Sequence, residues 1–139
     1  MADNHKEQYP QLEGLSQEFL IGLLVDAAKN WLAHDGLWFQ AVEKEFGLEA
    51  AIKVDALAWR QFTVVEAKRI MQRHNILPGG GIPALVKALN FRLYAFINRQ
   101  AISEMTENRV VFKMLDCRVQ SARKRKGLID FPCKAVGLV

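Results

Sequence analysis

Two cysteines bracket the most basic part of this chain, and they are the residues best suited to chemistry. Cys117 precedes Arg118 and the run Arg123-Lys124-Arg125-Lys126, and Cys133 precedes Lys134. From Cys117 to Val139 six Lys and Arg stand against Asp130 alone, a local balance of +5 in a chain whose total is +4. Hydrophobic patterning puts Cys117 where a strand gives way to a helix. There the free amides of the helix N-terminus and the guanidinium of Arg118 would favour a thiolate. Such a thiol is a candidate nucleophile, metal ligand or redox group. The bland alternative, a small buried hydrophobe, is the commoner state of free cysteine, and both readings stand. Arg118 and Arg123 carry forked donors that match a carboxylate, which makes them the candidate ligand-binding pair for a small anionic molecule.

Cys133 lies too far from Cys117 for a Cys-x-x-Cys redox pair. As metal ligands, Cys117 and Cys133 would need two more partners for a tetrahedral zinc site, with His5, His34 and His74 as the available imidazoles. His34-Asp35 falls between Trp31 and Trp38, at an expected helix end. His34 there is either a capping imidazole favoured by the helix dipole or a general base aimed into a pocket walled by Trp31 and Trp38. Asp55, Trp59 and Glu66 share a helical row. Arg69 and Arg73 follow Glu66 at spacings that a surface ion pair explains. Gly79-Gly80-Gly81 lacks the Lys-Ser/Thr of a phosphate loop, and no zinc-protease, serine-hydrolase or dinucleotide fingerprint occurs.

The elements that must position these residues are mainly helical. Residues 1–13 read as a flexible polar arm, and residues 14–139 as one domain. Ser16 is a helix N-cap, with Leu15 and Leu20 at the flanking staple positions. Two apolar rows, Leu20-Leu24-Ala27-Trp31 and Ile21-Val25-Ala28-Leu32, predict a largely buried first helix that stops at Gly36. A short second helix would turn Trp38, Val42 and Phe46 inward and stop at Gly47. A third runs from Leu48 to about Asn75, with Ile52, Trp59, Phe62, Ile70 and Met71 in the core and Thr63-Val64-Val65 as the place for a bend. Pro78 to Pro83 breaks the chain, and a fourth helix follows to about Asn98. Residues 101–105 and 109–115 then predict a hairpin, with Asn108 a residue that tolerates positive φ in its turn. A short helix over residues 119–126 ends at Gly127.

The fold class expected is therefore α+β: about four main helices packed on a small antiparallel hairpin near the C-terminus. Length and composition suit one globular domain, 139 residues with 50% apolar and 24% charged. No apolar run approaches the roughly 18 residues of a membrane span, and the polar N-terminus lacks a signal-peptide pattern. With two cysteines, disulfide stapling is not expected, and a cytoplasmic location with reduced thiols is. The single basic run comes without helix-turn-helix, zinc-finger or stacking motifs, so nucleic acid is not the expected partner. The chain stops inside the apolar run Ala135-Val136-Gly137-Leu138-Val139, which suggests a terminus tucked into the body or into a partner, such as a second copy in a homodimer, or else a longer native protein.

Residues 31–39, residues 59–68, and Cys117 to Gly127 with Phe131-Pro132-Cys133-Lys134 together resemble a family of bacterial cytosolic proteins of unassigned activity. That family is similar to L-2-amino-thiazoline-4-carboxylic acid hydrolase-like domains and, more loosely, to 4-vinyl reductase-like domains. The resemblance implies an α+β domain with a small-molecule pocket and, if enzymatic, ring-opening hydrolysis at a carbon–nitrogen bond. Water activation by His34 or attack by Cys117 would be the candidate steps. It also implies relatives that continue past this C-terminus with further cysteines. Such an extension would complete a zinc or iron–sulfur site on Cys117 and Cys133, the metalloprotein alternative. A ligand sensor without chemistry is the third reading.

Overall fold

The structure, a computed structural model, describes residues 5–133. A one-turn helix α1 (His5–Gln8) and a 3-10 turn (Pro10–Leu12) lie within the expected arm. Two long antiparallel helices follow, α2 (Gln17–Phe46) and α3 (Leu48–His74), then the shorter α4 (Gly81–Leu89) and a 3-10 turn (Leu93–Phe96). The hairpin β1 (Arg99–Met105) and β2 (Val110–Asp116) leads into α5 (Arg118–Arg125). This is the expected α+β class, four main helices with one two-stranded antiparallel sheet near the C-terminus. No helix is long and apolar enough to cross a membrane among the described residues.

Local chemistry sets most boundaries. The Ser16 hydroxyl accepts the Phe19 amide at 3.2 Å and opens α2. Gly47 at φ +86 separates α2 from α3 with no intervening loop, its N–H donating to the Glu43 carbonyl at 2.9 Å. Asn75 takes the left-handed conformation and closes α3. Pro83 sits in the first turn of α4, where its missing N–H leaves no gap in the ladder. Gly127 at φ +66 follows α5.

Four expectations fail for identifiable reasons. Gly36 does not end the first helix. It stays helical inside α2, a helix that packs along α3, with the Gln40 amide donating to its carbonyl at 2.9 Å. A mid-helix glycine costs about 1 kcal/mol, which continuous packing against a neighbour outweighs. The fourth helix ends at Leu89 rather than Asn98, because Glu66 captures the chain beyond it. The Glu66 carboxylate accepts Arg92 Nε at 2.8 Å and the Leu93 amide at 3.4 Å. Glu66 thus pairs across the fold with Arg92, not with Arg69 on its own helix. Replacing Glu66 with glutamine should cost about 1–3 kcal/mol in urea unfolding, with unchanged stability counting against this anchoring role. The hairpin turn needs no positive φ at Asn108. Thr106 closes it, its amide donating to the Arg109 carbonyl at 2.8 Å and its hydroxyl accepting the Arg109 amide at 3.0 Å.

The fourth concerns burial. Among the described residues the buried apolar side chains are Ala28, Leu32, Ala51, Ile70 and Ile76. Phe19, Leu20, Ile21, Leu23 and Leu24 of α2 are exposed, and Trp38 and Phe46 turn outward rather than inward. The first helix is therefore buried along one narrow stripe. The middle of the fold is instead filled by aromatic rings. Trp31 meets Trp59, Phe62 and Tyr94 with ring centroids 5.8, 5.6 and 5.3 Å apart, and Trp59 stacks on Tyr94 at 5.7 Å.

Candidate functional site

Between α2, α3, the 3-10 turn, the hairpin and α5 lies a cavity of about 840 Å3, ample for a small organic molecule. Its apolar wall comes from Leu32, Trp59, Phe112, Met114 and Val119. The polar groups converge from five elements. Asp35 comes from the middle of α2, Asp55 from α3 and Tyr94 from the 3-10 turn. Asn98 comes from just before β1, and Cys117 stands at the cap of α5.

The carboxylates are the unusual members. Asp55 is half-buried, and that loss of water pushes its carboxyl up to about 6. The nearby charge of Asp35 raises it further, while a hydrogen bond from the Trp59 indole works in the opposite direction. Burial also raises Asp35, against the pull of its neighbour His34. The phenol of Tyr94 is held well above its ordinary range, first by burial and then by Asp35, with Cys117 and Asp55 contributing in the same sense. Tyr94 is therefore a permanent O–H donor near neutral pH. Changing Trp59 to phenylalanine removes the one opposing hydrogen bond, so the Asp55 carboxyl should titrate above 6; a lower value by carboxyl NMR would contradict this arrangement.

Asn98 adds a second sign of a ligand. Its Oδ1 accepts the Arg118 amide at 2.9 Å, while its Nδ2 is buried with no hydrogen-bond partner among the described residues. A buried amide donor without a partner costs free energy, and one that lines a cavity is placed to meet a bound acceptor.

The residues singled out from sequence divide. Cys117 and Arg118 line the cavity, the thiol half-buried and the guanidinium exposed at the rim. Arg123 also reaches the wall, but its donors are already engaged. Nη1 and Nη2 fork onto Glu43 at 2.8 and 2.9 Å, and Nε donates to the Ile129 carbonyl at 2.6 Å. That guanidinium is 4% exposed and clamps α5 to α2, with each of its three nitrogens committed to a protein partner. His34 is exposed on α2 and does not line the cavity; with the helix running through Gly36, it no longer stands at a helix end. Trp38 is 62% exposed and off the wall. Trp31 lies behind the wall, supporting Trp59 and Tyr94 rather than lining it.

Both cysteines are free thiols. Gln120 holds the segment of Cys133 close to α5, its amide nitrogen donating to the Phe131 carbonyl at 2.8 Å and to Cys133 Sγ at 3.1 Å. Among the described residues, no group of three or more His, Cys, Asp or Glu is placed to hold a metal ion. The terminal run 135–139, expected to mediate pairing, lies outside the described residues.

Asp35, Tyr94 and Asn98 were not legible as site residues. Asp35 follows Ala28 and Leu32 on the buried row of α2, and the expected helix stop at Gly36 hid that continuity. Asp55 was visible in its row with Trp59, but only burial distinguishes it from a solvated acid. No curated protein and no solved structure matches this chain. A family model does match, over residues 13–139, and the chain belongs to that family, the family of unknown function DUF6125.

Proposed function

We propose that this protein is a small-molecule-binding domain, and that the molecule bound carries a nitrogen base at one end and an anionic group at the other. The observation that carries this reading is the pair Asp35 and Asp55 in one half-enclosed cavity, with Asp55 titrating at about 6. A protonated nitrogen set between these carboxylates would lower their repulsion and the cost of their burial. Arg118, Arg125 and Lys126 at the rim suit the anionic end, and the buried Asn98 Nδ2 and the Tyr94 hydroxyl suit acceptors between.

The chemistry best supported is hydrolysis at a carbon–nitrogen bond. Asp55 in its acid form can protonate a departing nitrogen, and Asp35 as carboxylate can take a proton from attacking water. Burial raises both carboxyls, Asp55 to about 6, which suits the pair to acid–base work near neutral pH. Cys117 is close enough in the wall to shape the site, and the reading does not need it as nucleophile. The probe is 2-amino-thiazoline-4-carboxylate, which has both the nitrogen base and the carboxylate. Calorimetry should show binding, and mass spectrometry a product heavier by one water. Absence of both, with no stabilisation of the wild-type fold by the probe or by simple amino acids, would refute the reading.

A further inference from the structure

Helix α2 carries a second apolar stripe, on the side away from its buried row. Leu20, Leu23, Ala27, Asn30, His34, Leu37 and Ala41 recur at alternating spacings of three and four, the pattern of a helix–helix seam. All seven are exposed, Leu37 at 62% with Trp38 beside it. Five of the seven are apolar, and Asn30 and His34 divide them into two exposed patches, Leu20-Leu23-Ala27 and Leu37-Ala41, of the kind that marks an interaction site.

The total surface is larger than that of a typical monomer. The chain exposes 10569 Å2. A monomer of 15.8 kDa is expected to expose about 7,300 Å2. The surplus, roughly 3,000 Å2, exceeds the about 1,000–2,500 Å2 that one subunit contributes to an obligate homodimer interface. Part of it reflects the length of α2, about 45 Å for its 30 residues. The exposed residues before Ser16 contribute as well, and the stripe on α2 supplies a share of the rest.

We propose that this stripe pairs with the same stripe of a second copy of the chain, α2 antiparallel to α2, about a two-fold axis near Asn30. An isologous contact requires a self-complementary patch, and this one is nearly symmetrical along its length. Antiparallel packing sets Leu20 and Leu23 of one copy against Leu37 and Ala41 of the other. Small Ala27 and polar Asn30 lie near the axis, where a single polar position fixes register. Leu37 also lines the cavity, so the second copy stands at the cavity mouth and narrows it. This contact is separate from the apolar terminal run and does not depend on what the cavity binds.

The test is the mass of the full chain by light scattering from low to high micromolar concentration. A mass near twice 15.8 kDa is expected. Leu20→Glu with Leu23→Glu should weaken association at least tenfold while keeping the helical circular dichroism, because both side chains are exposed in the single copy. Should that variant fail to fold, a second one decides. Asn30→Cys should form a disulfide joining position 30 of two copies under mild oxidation, and Glu49→Cys should not. A wild-type monomer at high micromolar concentration would overturn the proposal. So would a dimer that survives the glutamates, or one that forms no position-30 disulfide, since the pairing face would then lie elsewhere. Ligand titration reads the cavity and mass reads the stripe, so either can fail without the other.

Discussion

Replacing Arg123 with alanine should lower folding stability by about 3–5 kcal/mol in urea unfolding. Arg123 is the most deeply buried charge among the described residues, and three of its nitrogens are bonded. Its guanidinium also lies over the Phe39 ring, 5.6 Å from the centroid, and Phe39 meets Phe131 at 5.1 Å. Truncation would leave the Glu43 carboxylate, 20% exposed, with no partner and would release the Ile129 carbonyl. The cost comes mainly from that stranded charge. Removing both partners, Arg123→Met with Glu43→Leu, should therefore recover much of the loss. A loss below about 1 kcal/mol would mean the pair is solvated like a surface bridge.

The same pair sets an acid limb. The Arg123 hydrogen bond holds the Glu43 carboxyl below its usual range, against a smaller opposing effect of burial. A depressed carboxyl contributes its full stability above its unfolded value and loses it as pH falls through the folded one. The Arg123→Ala variant should lack that limb. Equal acid sensitivity in the two proteins would contradict the assignment.

The second large effect runs the other way. Asp55→Asn should stabilise the protein at pH 8 by about 1–2 kcal/mol, after allowing for solvent screening at a half-buried site, while abolishing binding in the cavity. The sign follows from the direction of the shift. Asp55 is raised to about 6 from an ordinary 3.8, so the folded protein holds a proton that the unfolded chain releases earlier. Stability from this group is full below about 4, falls as pH rises, and is gone above the folded value. The asparagine variant avoids that loss, so its advantage should vanish near pH 4 and be complete by pH 8. A residue whose removal helps folding but harms binding is one kept for function. Were Asp55→Asn destabilising at pH 8, the carboxylate would be structural.

What sequence reveals here follows from how local the cause is. Ser16, Gly47, Asn75, Pro83 and Gly127 act within a few residues, and each marks a boundary where its chemistry predicts one. The hairpin and the junction at Cys117 are likewise local, set by β-branched residues and by a turn that Thr106 closes. Gly36 misleads because its local preference is overruled by the packing of α2 along α3, a non-local effect. A helix stop at Gly36 would put His34 at a helix end, whereas the continuous α2 leaves His34 on its surface and Asp35 on its cavity side. Glu66 misleads similarly, since Arg69 is near in sequence but Arg92 is the partner in space. The acids at the cavity are identified by burial and mutual repulsion, and neither is a property of one helix read alone.

The central claim is that Asp35 and Asp55 share a desolvated cavity, and carboxyl-carbon NMR of the unliganded protein tests it most directly. The Asp55 carboxyl should titrate at about 6 in the wild type and at a lower pH in Asp35→Asn, because a neighbouring negative charge has been removed. An ordinary value for Asp55 in both proteins, near 3.9, would mean that water reaches the two acids freely and that the cavity is not a site.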